Sequence, residues 1–219
     1  VEKEAETILV KDQFQRITPE AYEAEIHYVI NQAEVRSSEL KNQDIKNLQT
    51  QIGELKKDTN KLIKGASISA YASPDGALDL NTKLADKREE SSKSFLTKEL
   101  KKSKITTGDD FLKLMATPED WDGFKKLMEA STIQDKELIL RVLSMYSDPV
   151  VREKEIKNLS AAYNEIKEQI LPQLRRAKMT VNVDVVGRSD EQIIALAKSS
   201  PDVLSLEEIL YAATLTQDL

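Results

Sequence analysis

The stretch Ile68-Ser69-Ala70-Tyr71-Ala72-Ser73-Pro74-Asp75-Gly76, followed by Asn81-x-x-Leu84-x-x-x-Arg88, decides the fold. Its small residues predict a strand over 67–73, and Pro74, Asp75 and Gly76 suit successive positions of a type I turn. A helix over 79–102 follows and carries the amide of Asn81 and the guanidinium of Arg88. Because seven residues bring an α-helix back almost to its starting azimuth, we expect these two side chains on one face, about 10 Å apart.

Upstream of this stretch the hydrophobic period changes twice. Residues 24–31 alternate between apolar and polar positions, which predicts a half-buried strand. An apolar stripe with helical spacing then predicts a charged helix over 43–64, ending before Gly65; the stripe is formed by Ile45, Leu48, Ile52 and Leu55. Residues 7–16 are expected to be extended, with Pro19 separating them from the first strand.

Downstream, residues 104–108 are a candidate short strand, and a helical pattern follows for some sixty residues. One long helix is expected after Asp148-Pro149, bearing Ile156, Leu159, Tyr163, Ile166 and Ile170 and stopped by Pro172. Strict alternation over 178–187 predicts the last strand. Two short helices close the chain, over 189–198 with Ser189 as N-cap and over 205–216 with Ser205 as N-cap and Glu208 three residues later.

This order predicts an α+β fold: a β-α-β-α-β sheet with helices on one face, a helical insertion before the last strand and a C-terminal helical pair. The strand, turn, Asn-x-x-Leu and Arg spacing resembles the OmpA-like peptidoglycan-binding domains. So does the final strand, which opens with Arg175-Arg176 and continues with alternating Val residues. Three positions depart from the family pattern, which has Asp at Ser73, Ser at Ala85 and Ala at Glu89.

The resemblance implies three parts of the chain. An extended segment occupies residues 1–17. The OmpA-like domain occupies residues 18–187 and contains a helical insertion at about 109–150. Residues 188–219 are the start of a helical repeat region of the tetratricopeptide kind. It also implies a location in the periplasm, associated with the outer membrane.

The same resemblance implies a ligand. Members of the family clamp the diaminopimelate of a peptidoglycan stem peptide between an Asp and an Arg. Here Arg88 and Asn81 match the motif, Ser73 stands at the position of the Asp, and Asp75 is the nearby acid that could substitute for it. We therefore expect a non-catalytic cell-envelope domain that binds stem peptide weakly through these four residues and tethers or scaffolds at the outer membrane.

Composition narrows the functional classes. The net charge of −6 does not favour attraction to nucleic acid, and no apolar run reaches the roughly 20 residues that cross a bilayer. The chain has no cysteine and one histidine, His27, and it contains no phosphate-binding glycine loop, Gly-x-Ser-x-Gly elbow or His-Glu-x-x-His motif. We expect no enzyme activity, no cofactor and no metal.

Two alternatives stay open from the residues. The fold could serve as a degenerate interaction module without peptidoglycan binding, holding envelope proteins through the insertion around Trp121 and through the C-terminal helices. Alternatively, the chain could be part of an envelope enzyme whose active site lies elsewhere in the polypeptide. Trp121 follows two acids at a predicted helix start, where core packing is its first interpretation and an interface its second.

Overall fold

The structure, a computed structural model, describes residues 12–215 except for the side chain of Ser160. The strands are Ile17–His27 (β1), Lys61–Tyr71 (β2), Leu112–Thr117 (β3) and Arg176–Val186 (β4). Together they form one mixed sheet in the order β1-β4-β2-β3. Strands β2 and β3 are parallel, with Ala66 opposite Leu112. The predicted α+β class is confirmed.

Helices make up most of the remaining described chain. They are Gln43–Leu55 (α1), Leu78–Lys102 (α2), Trp121–Ala130 (α3), Lys136–Met145 (α4), Pro149–Asn158 (α5), Ser160–Gln169 (α6), Leu171–Leu174 (α7), Asp190–Ser199 (α8) and Leu206–Leu215 (α9). Single 3-10 turns lie at Glu39–Lys41 and Pro201–Val203. Among the described helices, none combines the length and apolar character needed to cross a membrane.

One face of the sheet forms the main core with α1 and α2. Alternate strand residues such as Ile26, Ile68 and Val181 are fully buried there, against Ile45 of α1 and Leu96 of α2. Full burial of each large aliphatic side chain stabilises the fold by roughly 1.5–3 kcal/mol relative to exposure. Helices α1 and α2 therefore cover one face of the sheet.

The opposite face of the sheet carries charge pairs. Lys178 contacts Glu23 at 2.8 Å, and Arg176 lies 3.7 Å from Glu25. The partners run in opposite directions along the two strands, so β1 and β4 are antiparallel.

The predicted first strand is displaced in the structure. It ends at His27 rather than continuing to Asn31, because Asn31 adopts a φ of 57° in a turn closed by a hydrogen bond from Gln32 N–H to Val29 O. At its other end β1 runs through Pro19, which was predicted to separate the first strand from the extended segment before it. An edge strand tolerates proline, since its outward N–H needs no partner. Of the extended segment predicted over 7–16, residues 7–11 lie outside the described residues, and residues 12–16 precede β1 without forming part of a strand.

The predicted helix over 43–64 is too long. Helix α1 ends at Leu55, and residues 61–64 already belong to β2. Leu62 and Ile63 continue an apolar spacing compatible with a helix, but Val186 N–H at the end of β4 donates to Asn60 O at 2.7 Å. Pairing with β4 therefore draws this segment into the sheet, and the local pattern does not show that contact.

The candidate strand over 104–108 is wrong; the third strand is β3, Leu112–Thr117. Residues 103–105 instead close the C-terminus of α2, because Ser103 N–H donates to Glu99 O and Ile105 N–H to Leu100 O. Lys104 supplies the left-handed conformation, with a φ of 56°, that such helix ends use. Residues 112–117 lack clean alternation, which is common for a short edge strand.

Helices α3–α7 surround a core of their own. Its buried members include Phe124, Met128, Ile139 and Ile166. The single long helix predicted after Asp148-Pro149 is divided into α5 and α6 at Leu159, whose ψ of 65° is not helical. Asp148 caps α5 by accepting hydrogen bonds from Val150 N–H at 2.8 Å and Val151 N–H at 3.2 Å.

The chain divides into two compact units. The larger comprises residues 21–59 and 63–183 and contains both cores described above. Of the described residues, 12–20, 60–62 and 184–215 form the other, whose small core includes Ile193, Leu204 and Ala212. The predicted N-caps of its two helices are confirmed: Ser189 forms a capping box with Gln192, and Ser205 exchanges hydrogen bonds with Glu208. Thr216 lies outside the described residues.

Candidate functional site

Arg88 is the central residue of the predicted site, and it is 1% exposed. Its Nε donates to Gln32 O at 3.0 Å, its Nη1 to Tyr71 O at 2.9 Å and its Nη2 to Val29 O at 3.3 Å. Val29 and Gln32 follow β1, and Tyr71 is the last residue of β2. The guanidinium therefore fastens the loop after β1 to the end of β2.

The charge of Arg88 is stabilised by dipoles and an aromatic ring. Its Cζ lies 5.2 Å from the ring centre of Tyr28, and within the described residues no carboxylate oxygen lies within 4 Å of it. Burial lowers the pKa of Arg88 to about 10, so it stays protonated at neutral pH. Burial also raises the pKa of Tyr28, whose hydroxyl is bonded to Ser92 Oγ at 2.7 Å.

Ser73 and Asp75 are brought together at the turn between β2 and α2. Ser73 Oγ donates to Asp75 Oδ1 in a short hydrogen bond. Arg175, which precedes β4, donates from Nε to Ser73 Oγ at 3.3 Å and lies 3.5 Å from Asp75 Oδ2 through Nη2. Asp75 is thus neutralised by an arginine of the same chain.

Arg175 is a site residue that sequence reasoning missed. It appeared only as part of the Arg-Arg pair that opens the last strand. The signal that could have identified it is the strand order: if β4 lies beside β2, the start of β4 meets the end of β2, because the two strands are antiparallel. Arg175 must then lie near the turn that carries Ser73 and Asp75.

Asn81 lies in the first turn of α2, on the same buried face as Arg88, as the seven-residue spacing predicts. It is 2% exposed, and its Nδ2 has no hydrogen-bond partner within the described part of the chain. An unpaired buried amide donor is expensive, typically about 1–3 kcal/mol. Gly76, with a φ of 109°, places its backbone beside this amide: a Cβ there would lie 3.9 Å from Asn81 Oδ1.

Residues of the helices α3, α5 and α6 cover the turn. Gly76 N–H donates to Glu153 Oε1 of α5 at 2.9 Å, and Lys157 pairs with the same oxygen at 2.6 Å. The space between Pro74, Asp75, Trp121 and Tyr163 is a cavity of about 20 Å³. Such a volume holds one water molecule at most, so no amino-acid ligand fits there without movement of the helices.

The sequence also drew attention to His27 and Trp121, and each of them contacts a neighbouring side chain. His27 lies on the polar face of the sheet, 3.8 Å from Glu25, and the described residues contain no cluster of three or more side chains suited to a metal ion. Trp121 donates from Nε1 to Glu119 at 3.1 Å and packs edge-on against Phe124 at 5.6 Å. Trp121 therefore belongs to the core of the helical segment along one side of its ring.

Comparison with known proteins does not assign the chain to a family. No model of a known protein family matches the sequence, and no curated protein matches it.

Proposed function

We propose that this chain is a non-catalytic, OmpA-like interaction module of the cell envelope in which the peptidoglycan pocket is degenerate. The assignment to that family, and with it the periplasmic location at the outer membrane, rests on the order of elements and on the motif around Arg88. Fold alone does not fix function, so the proposal rests on the local geometry of the site.

The engagement of Arg88 carries this proposal. A guanidinium binds a ligand carboxylate best when two parallel N–H groups face it. Here Nε, Nη1 and Nη2 each already donate to a backbone carbonyl, and the side chain is buried. Arg88 is therefore better suited to hold two segments of the fold together than to bind a stem peptide.

The other three site residues support the same conclusion. A ligand ammonium needs an uncompensated acid, but Ser73 has no charge and Asp75 is paired with Arg175. The turn N–H of Gly76, which could receive a ligand carboxylate, is occupied by Glu153. Losing one charged partner of a desolvated pair commonly costs about 2–5 kcal/mol, which is 30-fold or more in affinity.

Weak peptidoglycan binding is the second candidate, and one observation favours it. Within the described residues Nδ2 of Asn81 is a buried donor without a partner, and a Cβ on Gly76 would lie 3.9 Å from Oδ1 of the same amide. A ligand carbonyl that reached this amide would satisfy the donor. Binding would require the helices that cover the turn to move away and Glu153 to release Gly76.

A titration with a diaminopimelate-containing stem peptide separates the two candidates. For the chain as it is, we expect no saturable heat and no retention on purified sacculi. Saturable binding that is lost in Asp75→Asn and kept in Asp79→Asn, a matched change on the exposed start of α2, would overturn the proposal. Glu153→Gln tests the covering helices, because a merely blocked pocket would begin to bind once that contact is weakened.

A further inference from the structure

The outer edge of β3 is free of a strand partner in the described sheet. Ala66 N–H donates to Phe111 O at 2.8 Å and Ala72 N–H to Thr117 O at 3.0 Å. Because a residue directs its N–H and C=O to the same side, and sides alternate along a strand, the odd-numbered residues of β3 face β2. Leu112, Leu114 and Ala116 therefore present their backbone groups to the free edge.

An open cleft of about 430 Å³ lies at the C-terminal end of this edge, on the face of the sheet opposite α1 and α2. Tyr71, Met115 and Trp121 give it apolar and aromatic surface. Glu119, Asp120 and Asp122 give it three carboxylates. An aromatic surface beside carboxylates is the chemistry that recognises an ammonium or guanidinium group.

The cleft already accommodates one cation of the chain itself. The Arg176 guanidinium lies 4.6 Å from the ring centre of Tyr71 and 2.9 Å from Asp120 Oδ2. That contact is an ion pair without hydrogen-bond alignment, because Oδ2, in a residue only 5% exposed, has no aligned donor among the residues that the structure describes. Arg176 also reaches Glu25, so its charge is shared between two acids.

The remaining charges of the cleft favour a further cation. Among residues 12–215, neither Glu119 nor Asp122 has a cationic group within 4 Å, and Lys126 is the one other basic residue of the lining. The carboxylates thus outnumber the basic groups by three to two. Within the described part of the chain, the Glu119 carboxylate accepts one hydrogen bond, from the Trp121 indole.

We propose that the β3 edge and this cleft together bind an extended segment of a partner protein that carries one lysine or arginine. The segment adds to the sheet through the backbone of Leu112, Leu114 and Ala116. Its basic side chain reaches over Met115 towards Trp121, Glu119 and Asp122. This inference rests on the proposed interaction role, for which it names the surface and the chemistry of the partner.

Trp121 is the sole tryptophan of the chain, so its fluorescence reports on the cleft directly. The probe is an end-capped hexapeptide of alternating valine and threonine with one central lysine; its control has glutamine in place of lysine. We expect a saturable change in Trp121 emission with the lysine peptide below about 5 mM, the range of a short strand with one charge contact. The glutamine peptide should bind about fivefold or more weakly, and added salt should weaken the lysine peptide.

Variants test the two halves of the site separately. Glu119→Gln and Asp122→Asn should each weaken the lysine peptide about two- to fivefold, as for partly exposed ion pairs, whereas Glu137→Gln on α4 should not. Leu114→Pro removes an outward N–H without touching the ladder to β2 and should abolish binding. Leu114→Thr, which keeps that N–H, should retain it. Circular dichroism of each variant confirms that it is folded.

Three results would overturn the inference: no saturable change, equal affinity for the glutamine peptide, or full binding by folded Leu114→Pro. These outcomes are distinct from failure of the proposed function. Stem-peptide binding is measured at the β2–α2 turn with a different ligand. A chain that binds neither peptide would refute only this inference, whereas one that binds stem peptide would refute the degenerate pocket whatever happens at β3.

Discussion

Arg88 offers the sharpest test of how this fold is held together. If its guanidinium fastens the loop after β1 to the end of β2, removing it should destabilise the protein in the absence of any ligand. The substitutions Arg88→Met and Arg88→Ala separate the charge from the volume, since methionine fills most of the space of the arginine stem.

The expected magnitude follows from two opposing contributions. The lowering of the pKa of Arg88 to about 10 means that burial disfavours the charged form by about 3 kcal/mol. Three hydrogen bonds from a charged donor contribute roughly 1.5–3 kcal/mol each in the other direction. The balance is a net stabilisation of about 3 kcal/mol, which Arg88→Met should lose. Arg88→Ala also leaves a cavity and should lose about 4 kcal/mol or more.

Urea unfolding followed by far-UV circular dichroism measures both variants. For a domain of this size, a loss of 3 kcal/mol lowers the midpoint by about 1 M or more. The control is Lys87→Met, the exposed neighbour on α2, which should change the free energy of unfolding by less than about 0.5 kcal/mol. An Arg88→Met protein as stable as the Lys87→Met protein would refute the fastening role. Arg88 would then again be a candidate for binding a ligand.

Three further predictions concern the ends of helices and the turn. Burial acts to raise the pKa of Glu208, but the hydrogen bonds from Ser205 and Arg188 outweigh it and leave the pKa below its ordinary 4.5. The stabilising contribution of Glu208 is therefore present above pH 4.5 and is lost as the pH falls through the lowered pKa. The protection factors of the amides in α9, which correct for the intrinsic pH dependence of exchange, should therefore fall on acidification in the native chain and lose that pH step in Glu208→Gln; an unchanged step would contradict the assignment. Gly76→Ala should cost about 1–2 kcal/mol in thermal or urea unfolding, because a φ of 109° strains any residue with a Cβ, and a neutral effect would show that the turn adapts. Asp148→Ala removes the acceptor of two N–H groups at the start of α5 and should cost about 1 kcal/mol, with Asp148→Asn retaining most of it; equal loss in both would point to charge rather than capping.

Local pattern was sufficient where burial and period agree. The alternating residues of β4 and the stripe of α1 mark one buried face each, and the caps at Ser189 and Ser205 are local hydrogen-bond chemistry. These elements were predicted to within a few residues, except for the C-terminal end of α1. From these elements the α+β class could be predicted from the sequence alone.

Pattern failed where pairing with a distant strand decides the structure. Residues 61–64 carry lysines and exposed Leu62, and only the hydrogen bonds of the sheet make them a strand. Strand β3 is a half-exposed edge strand, so its apolar and polar residues do not alternate and the sequence does not indicate a strand there. In the same way, spacing placed Asn81 and Arg88 on one face, but it did not indicate that the partners of Arg88 are backbone carbonyls from residues 17 to 59 positions away.

Arg176 and Asp120 lie 2.9 Å apart, one at the start of β4 and the other immediately before α3. The polypeptide thus leaves the sheet and rejoins it at neighbouring points, and the segment from α3 to α7 has a core of its own. Because its two ends lie together, this segment can change in length without requiring the strands to separate, provided that Glu153 keeps its contact with Gly76. We expect insertions and deletions to be tolerated best in those of its loops that lie away from the turn between β2 and α2.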